Sequence, residues 1–172
     1  YDRWTPLYLE TYGDTIQSCR TQNLADLHQH TINAVYMHKG QRVLDAGCGV
    51  CGPSIYFAKH AGAQIDAITI SPVQVQVAKQ SIEKEGLTGQ INVHCDDFYN
   101  ADKRFAENTF DIVLFLESLG HSDQPEEVVQ KMYKLLKPGG IIFIKDYFIN
   151  ESEQIPHEKK QQVINTINDA YY

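Results

Sequence analysis

The stretch Leu44 to Gly52, LDAGCGVCG, overlays three signatures. Cys48 and Cys51 form a C-x-x-C pair, Gly47, Gly49 and Gly52 form a G-x-G-x-x-G loop, and Asp45 sets an acid just ahead of the first glycine. Metal or thiol chemistry, a nucleotide phosphate, and a ligand that wants a nearby carboxylate would each use a different one, so the surroundings decide. A structural zinc site takes about four ligands. One C-x-x-C supplies only part of that set, and nothing brings His94 or Cys95 towards it, so no metal site is expected. A redox pair starts at a helix N-terminus and has no use for glycines on both sides of Cys48.

The segments around the loop give it a context. "RVLDAG" (42–47) reads as a strand, and a helix is predicted from Pro53 to Ala61. "AQIDAITI", a helix from Pro72 to Glu85, "INVHC", "FDIVLFLE", a helix around Glu126 to Leu136, and "IIFIKDYF" follow. Alternation of helices with nearly continuous apolar strands means a parallel sheet covered on both faces, an α/β doubly wound fold. Pro72 sits at a first helical position, and "KPGG" (137–140) reads as a helix stop. Upstream, Leu24, Leu27, Thr31 and Val35 share a helical stripe ending near Gly40, after an irregular aromatic opening. Residues 1–40 are therefore expected to form an N-terminal helical lid, and 41–172 the core. An amphipathic helix is expected over 156–172. A core ending on it lacks its C-terminal strands and so reads as truncated.

Composition narrows the function classes. With 172 residues and 42% hydrophobic content, one core and one domain are expected. The net charge of −7, with no Lys/Arg cluster, argues against a nucleic-acid partner. The apolar runs are strand-sized, so no transmembrane segment is expected. Four irregularly spaced cysteines suit reduced thiols, which points to the cytoplasm. The sequence begins at Tyr1 without a charged-then-apolar leader, which leaves any upstream targeting segment open. Oligomeric state is not legible.

A G-x-G-x-x-G loop between a strand and a helix is a nucleotide-site pattern. Asp45 opposes a pyrophosphate at that helix N-terminus, and the second strand ends in "ITIS" rather than in an acid; Asp66, near the expected count, falls mid-strand. A cationic ligand without phosphates reverses the sign of the Asp45 interaction. S-adenosylmethionine, with its ammonium and sulfonium, is such a ligand. "VLDAGCGVCG" also resembles the first motif of the Rossmann-like, class I S-adenosylmethionine-dependent methyltransferases. The resemblance continues through "ITISPVQVQVA", "CDDF", "FDIVLFLESLGH" and "LKPGGIIFIKDYF" to about Phe148. Its nearest branch holds sterol side-chain, prenyl and tocopherol C-methyltransferases and cyclopropane fatty acid synthases. Cys51 departs from it where many members have glycine, and Thr69 where most have an acidic ribose ligand.

The resemblance implies a cofactor set. Gly47 and Gly49 would let backbone and cofactor approach, with Asp45 beside them. Thr69 and Gln74 would hold the ribose region, although Ser71 and Gln74 also have capping-box spacing. Asp97 would accept from the adenine amino group, with Phe98 against the ring. Leu116, closing the fourth strand, and Gln17 and Ser18, from a "QSC" segment like one that covers the methionine end, complete it. Glu117 and His121 follow the central strand at the sheet edge where open α/β folds bind ligands. Glu117 is the expected proton acceptor or carbocation stabiliser, and His121 the base or hydrogen-bond partner. Asp146 and Tyr147 share that edge, and Tyr8 and Tyr12 suit an aromatic lid. The expected reaction is methyl transfer to carbon of an apolar small molecule. The alternatives are transfer to nitrogen or oxygen of a polar acceptor, or a cofactor-binding subunit without turnover.

Overall fold

A computed structural model describes residues 1–148 together with Lys159, Gln161 and Gln162. Apart from those three positions, the helix expected over 156–172 lies outside the described residues.

Five strands form one parallel sheet: β1 (Arg42–Ala46), β2 (Gln64–Thr69), β3 (Ile91–Cys95), β4 (Phe110–Leu116) and β5 (Leu136–Lys145), in the order β3-β2-β1-β4-β5. Successive strand residues face opposite sides, and this alternation divides the interior in two. Val43, Ile65, Ala67, Ile112 and Leu114 pack into one core under α2 (Leu24–Ala34), α3 (Gly52–Ala61) and α4 (Pro72–Lys84). Leu44, Ala46, Ile68, Val113 and Phe115 pack into the other with the short α5 (Ala101–Arg104) and α6 (Pro125–Leu135). With helices over both faces, the sheet is doubly wound, and β1 and β4 at its centre are buried along most of their length.

Three local readings change. The opening segment is helical: α1 spans Thr5–Tyr12, with Pro6 in its first turn and the Thr5 hydroxyl donating to the Tyr1 carbonyl at 2.9 Å. Tyr8 and Tyr12 are half-buried and Leu7 is exposed, so no apolar stripe announces it. The buried face of α2 carries His28, Thr31 and Ile32, while Leu24 and Leu27 are only half-buried. "KPGG" does not separate helix from strand. α6 runs directly into β5, whose ladder pairs Phe110 with Leu136 and then Ile112 with Ile141, so the intervening residues bulge out of the strand.

Asp66 is a fold residue. Its buried carboxylate receives the Arg42 guanidinium at 2.8 Å and lies 3.0 Å from His94 Nε2, tying β1, β2 and β3 together. No described helix is long and apolar enough to cross a membrane.

Candidate functional site

The chain leaves β1 through a tight turn. The amides of Gly47 and Cys48 both donate to the Ile68 carbonyl, at 3.0 and 2.9 Å, so the turn hangs from the end of β2. Gly47 has φ 94, and a Cβ there would stand 2.3 Å from Ser118 Cβ. Gly52 is needed for a different neighbour: a Cβ would stand 2.1 Å from the carbonyl oxygen of Asp14, so this glycine admits the N-terminal segment. Cys51, where many relatives of the motif have glycine, keeps the glycine-like left-handed backbone at φ 67. Both cysteines are buried, and burial, followed by the neighbouring Cys51 thiol, pushes the Cys48 thiol well up. That is the reverse of an activated thiolate. Among the described residues no group of three or more His, Cys, Asp or Glu side chains is placed to hold a metal ion.

Above the turn, at the carboxyl ends of the strands, lies a cavity of about 330 Å³. Asp45 forms part of its floor and is almost fully buried; desolvation raises its pKa to about 6 against the opposing 2.5 Å hydrogen bond from Ser54 Oγ. Thr69 Oγ1 donates to Gln74 Oε1 at 2.7 Å, while Ser71 Oγ caps α4 by accepting the Gln74 amide at 3.1 Å. Only one half of the capping box therefore forms. The Gln74 side chain turns to Thr69 instead, and its amide nitrogen has no partner among the described residues.

The two acids after β3 differ sharply. Asp96 is occupied: Arg104 Nε and Nη2 donate to Oδ2 at 2.9 and 2.7 Å, Asn100 and the Asp97 amide donate to Oδ1, and the Arg104 hydrogen bond leads the effects holding its pKa low. Asp97 accepts only the Tyr99 amide, at Oδ1, leaving Oδ2 without a partner among the described residues. Phe98 lines the cavity beside it, 5.8 Å from the Phe115 ring.

At the opposite end, Glu117 has a left-handed backbone, φ 61, and its amide donates to the Lys145 carbonyl at 2.6 Å. Glu117 Oε2 accepts the Ser18 amide at 2.7 Å; Oε1 accepts the Cys19 amide at 3.0 Å and Lys145 Nζ at 2.5 Å. Lys145 Nζ also donates to Gln17 Oε1 at 2.8 Å. His121 lies against the Tyr1 ring, with centroids 5.8 Å apart, and burial lowers its pKa against the opposing charge of Asp146. Asp146 Oδ2 accepts the Gly120 amide at 2.9 Å, which anchors the turn that carries His121.

Of the residues singled out in the sequence, Gln17, Asp45, Gly47, Gly49, Thr69, Gln74, Asp97, Phe98, Leu116, Glu117 and His121 line this one cavity. Ser18 does not line it; its amide meets Glu117 from outside. Tyr8 forms part of the wall and Tyr12 stands behind it, with ring centroids 6.5 Å apart. Sequence reasoning passed over Lys145, Ser54, Ser118 and Tyr99. Lys145 had a signal available, a cation closing the apolar run 141–144; Ser118 acts through a hydrogen bond to a residue distant in sequence and had none, while Ser54 bonds Asp45 across the glycine turn.

Three comparisons bear on this geometry. The sequence profile of a family described as "Methyltransferase domain" matches residues 44–144. The 24-methylenesterol C-methyltransferase 3 of Arabidopsis thaliana is 36% identical over 136 residues, which is 79% of this chain and 37% of that protein. Among solved structures, the [4+2]-cyclase SpnF is similar with a TM-score of 0.77 at 27% identity, covering 85% of this chain and 57% of the other. A geranyl diphosphate methyltransferase, solved with S-adenosylmethionine, reaches 0.74 at 17%, covering 84% and 57%, a likeness of fold. The chain spans less than half the length of the curated relatives it matches.

Proposed function

Because this chain belongs to the methyltransferase-domain family, in its class I, S-adenosylmethionine-dependent group near the sterol C-methyltransferases, we propose that it methylates carbon in an apolar, isoprenoid- or lipid-like acceptor. The observation that carries this reading is one cavity with an acid under the glycine turn, open hydrogen-bonding atoms on Gln74 and Asp97, and Glu117 with His121 at its far end.

The cofactor fits that donor set. Asp45 supplies negative charge where the methionine ammonium would lie, Gln74 Nε2 a donor for a ribose hydroxyl, and Asp97 Oδ2 an acceptor for the adenine amine beside Phe98. When bound, S-adenosylmethionine supplies a methyl carbon already activated by its sulfonium. The chain has to align the acceptor with that carbon and keep water out. Ile16, Tyr8 and Leu116 provide apolar wall, and residues 1–40 the lid. Glu117, through its carboxylate oxygens, balances positive charge developing on the acceptor or takes its proton; His121, whose pKa burial lowers, accepts a hydrogen bond or a proton. The proposed location is the cytoplasm, supported by four irregularly spaced cysteines that suit reduced thiols. The net charge of −7 supports a small-molecule acceptor over a nucleic acid.

A similar structure named for a reaction other than methyl transfer, the [4+2]-cyclase, leaves room for a second reading, in which this domain binds the cofactor without transferring its methyl group. The experiment is incubation of the intact protein with methyl-labelled S-adenosylmethionine and a metabolite extract from its source, followed by solvent partition. Label in the organic phase supports an apolar acceptor. Label in the aqueous phase favours nitrogen or oxygen methylation with His121 as base, and no labelled product favours the second reading.

A further inference from the structure

The end of β5 supplies a group that the reaction scheme above does not use. Lys145 pairs with Leu116 in the last rung of the β4/β5 ladder, and its carbonyl accepts the Glu117 amide at 2.6 Å, so backbone geometry sets the two charged side chains next to each other. Their ion pair is 2.5 Å long, with side chains only 20% and 7% exposed. A lysine placed there to satisfy Glu117 alone would need one contact. Lys145 makes a second, to Gln17 Oε1 at 2.8 Å, while the Glu117 carboxylate takes the next two backbone amides, Ser18 and Cys19.

Three consecutive residues of the N-terminal segment are thus held by one ion pair, two through their backbone and one through its side chain. Gln17 of this trio and its neighbour Ile16 face the cofactor region. Ile16 and Gln17 line the cavity, and Ile16 Cδ1 is the nearest atom, at 3.8 Å, to where a Cβ on Gly49 would stand. The amides of Ser18 and Cys19 have no other acceptor among the described residues. They point at a carboxylate, a strong acceptor for backbone N–H donors.

We propose that Lys145 is a positioning residue for methyl transfer: by pairing with Glu117 and Gln17 it seats residues 16–19 over the methyl-donor end of the cavity. The inference rests on the cofactor reading above, and it separates two duties of Glu117. The carboxylate faces the cavity and also anchors the wall. Lys145 itself does not line the cavity, so it acts only through the groups it holds.

The test uses the purified chain and S-adenosylhomocysteine as probe, with amide hydrogen exchange read residue by residue. Lys145→Met keeps the stem and removes the charge, Glu117→Gln removes the partner, and the double variant leaves no unpaired charge and so controls for misfolding. Each single variant is expected to speed exchange at Ser18 and Cys19 and dissociation of the probe by about tenfold, with β1 amides unchanged. The double variant should be no worse than either single, since one interaction is lost once, and Lys145→Arg should restore protection. Unchanged exchange at Ser18 and Cys19 in Lys145→Met overturns the proposal, as does a double variant whose effect is the product of the singles. Exchange is measured without ligand, so a wild-type chain that fails to bind the probe would sink the cofactor reading and leave the seating of the loop separately decided.

Discussion

Replacing Asp45 is the sharpest probe of the site. Its pKa is raised from the usual 3.8 to about 6 because burial disfavours the charged form more than the Ser54 hydrogen bond favours it. The sign follows: without ligand the folded chain holds this proton more tightly than the unfolded chain does. Near neutral pH the ionised carboxylate therefore weighs against the fold; the penalty begins to shrink as pH falls through about 6 and is gone only below the usual 3.8. A shift of this size corresponds to roughly 3 kcal/mol, to order of magnitude. A cation bound beside Asp45 favours the ionised form and lowers its pKa again, so binding must expel the proton. If the bound value lies near the ordinary one, the dissociation constant of S-adenosylhomocysteine rises about tenfold between pH 7 and pH 5. The ligand's own ammonium and carboxylate keep their charges over that range. Calorimetric titration of the probe at the two pH values measures this directly. Asp45→Asn is expected to bind weakly at both and to lose the pH dependence, and His121→Asn, which removes the cavity histidine, to retain it. Wild-type binding that is flat from pH 7 to pH 5, or a slope that survives in Asp45→Asn, would refute the charge argument.

Other substitutions divide cofactor contacts from fold contacts. Asp66→Asn should lower unfolding free energy by about 2 kcal/mol, because a buried carboxylate loses its charged hydrogen bonds to the exposed Arg42 guanidinium and to His94; denaturant titration reads the loss, and probe affinity should stay within twofold or so. Asp97→Ala should weaken S-adenosylhomocysteine by about tenfold while costing about 1 kcal/mol of stability through the lost cap on Tyr99; unchanged affinity would remove Asp97 from the adenine site. Gly52→Ala should destabilise by about 2 kcal/mol, as its Cβ cannot share space with the Asp14 carbonyl. Faster proteolysis ahead of Thr15 is the accompanying sign, and an unaltered cleavage pattern would show that the N-terminal segment does not depend on this contact.

Much of the core architecture was legible because it depends on local patterns. The strands at 43–46 and 112–116 are buried from both sides, the glycine turn closes the first of them, and Pro72 marks the start of α4. Residues 137–140 misled because Pro-Gly-Gly is turn chemistry wherever it occurs, and only pairing with β4 makes it a bulge inside β5. Helix α1 was invisible for a related reason: Trp4 and Leu7 remain half exposed, so no buried face writes itself into the sequence. At the site, the residues brought to the cavity were those carried by short motifs. What escaped were pairings between distant segments, Glu117 with Ser18 and Cys19 and Lys145 with Gln17, and the local choice of Arg104 for Asp96. The last could not be foreseen from "CDDF", where the two acids are equivalent until one of them is taken by an arginine.

The fit of Ser118 against Gly47 has a mechanical meaning. Ser118 Oγ donates to the Ala46 carbonyl at 2.5 Å, and its Cβ occupies the space that any side chain at Gly47 would need. The turn beneath the donor and the loop leading to Glu117 and His121 are therefore clasped by packing that involves no ligand. On the proposed reading, the two walls of the cavity that would face donor and acceptor are held at a spacing set by the protein itself. In a displacement whose rate falls steeply with misalignment, a spacer forced into this clasp would be felt chiefly in turnover, leaving the affinity for either ligand comparatively intact.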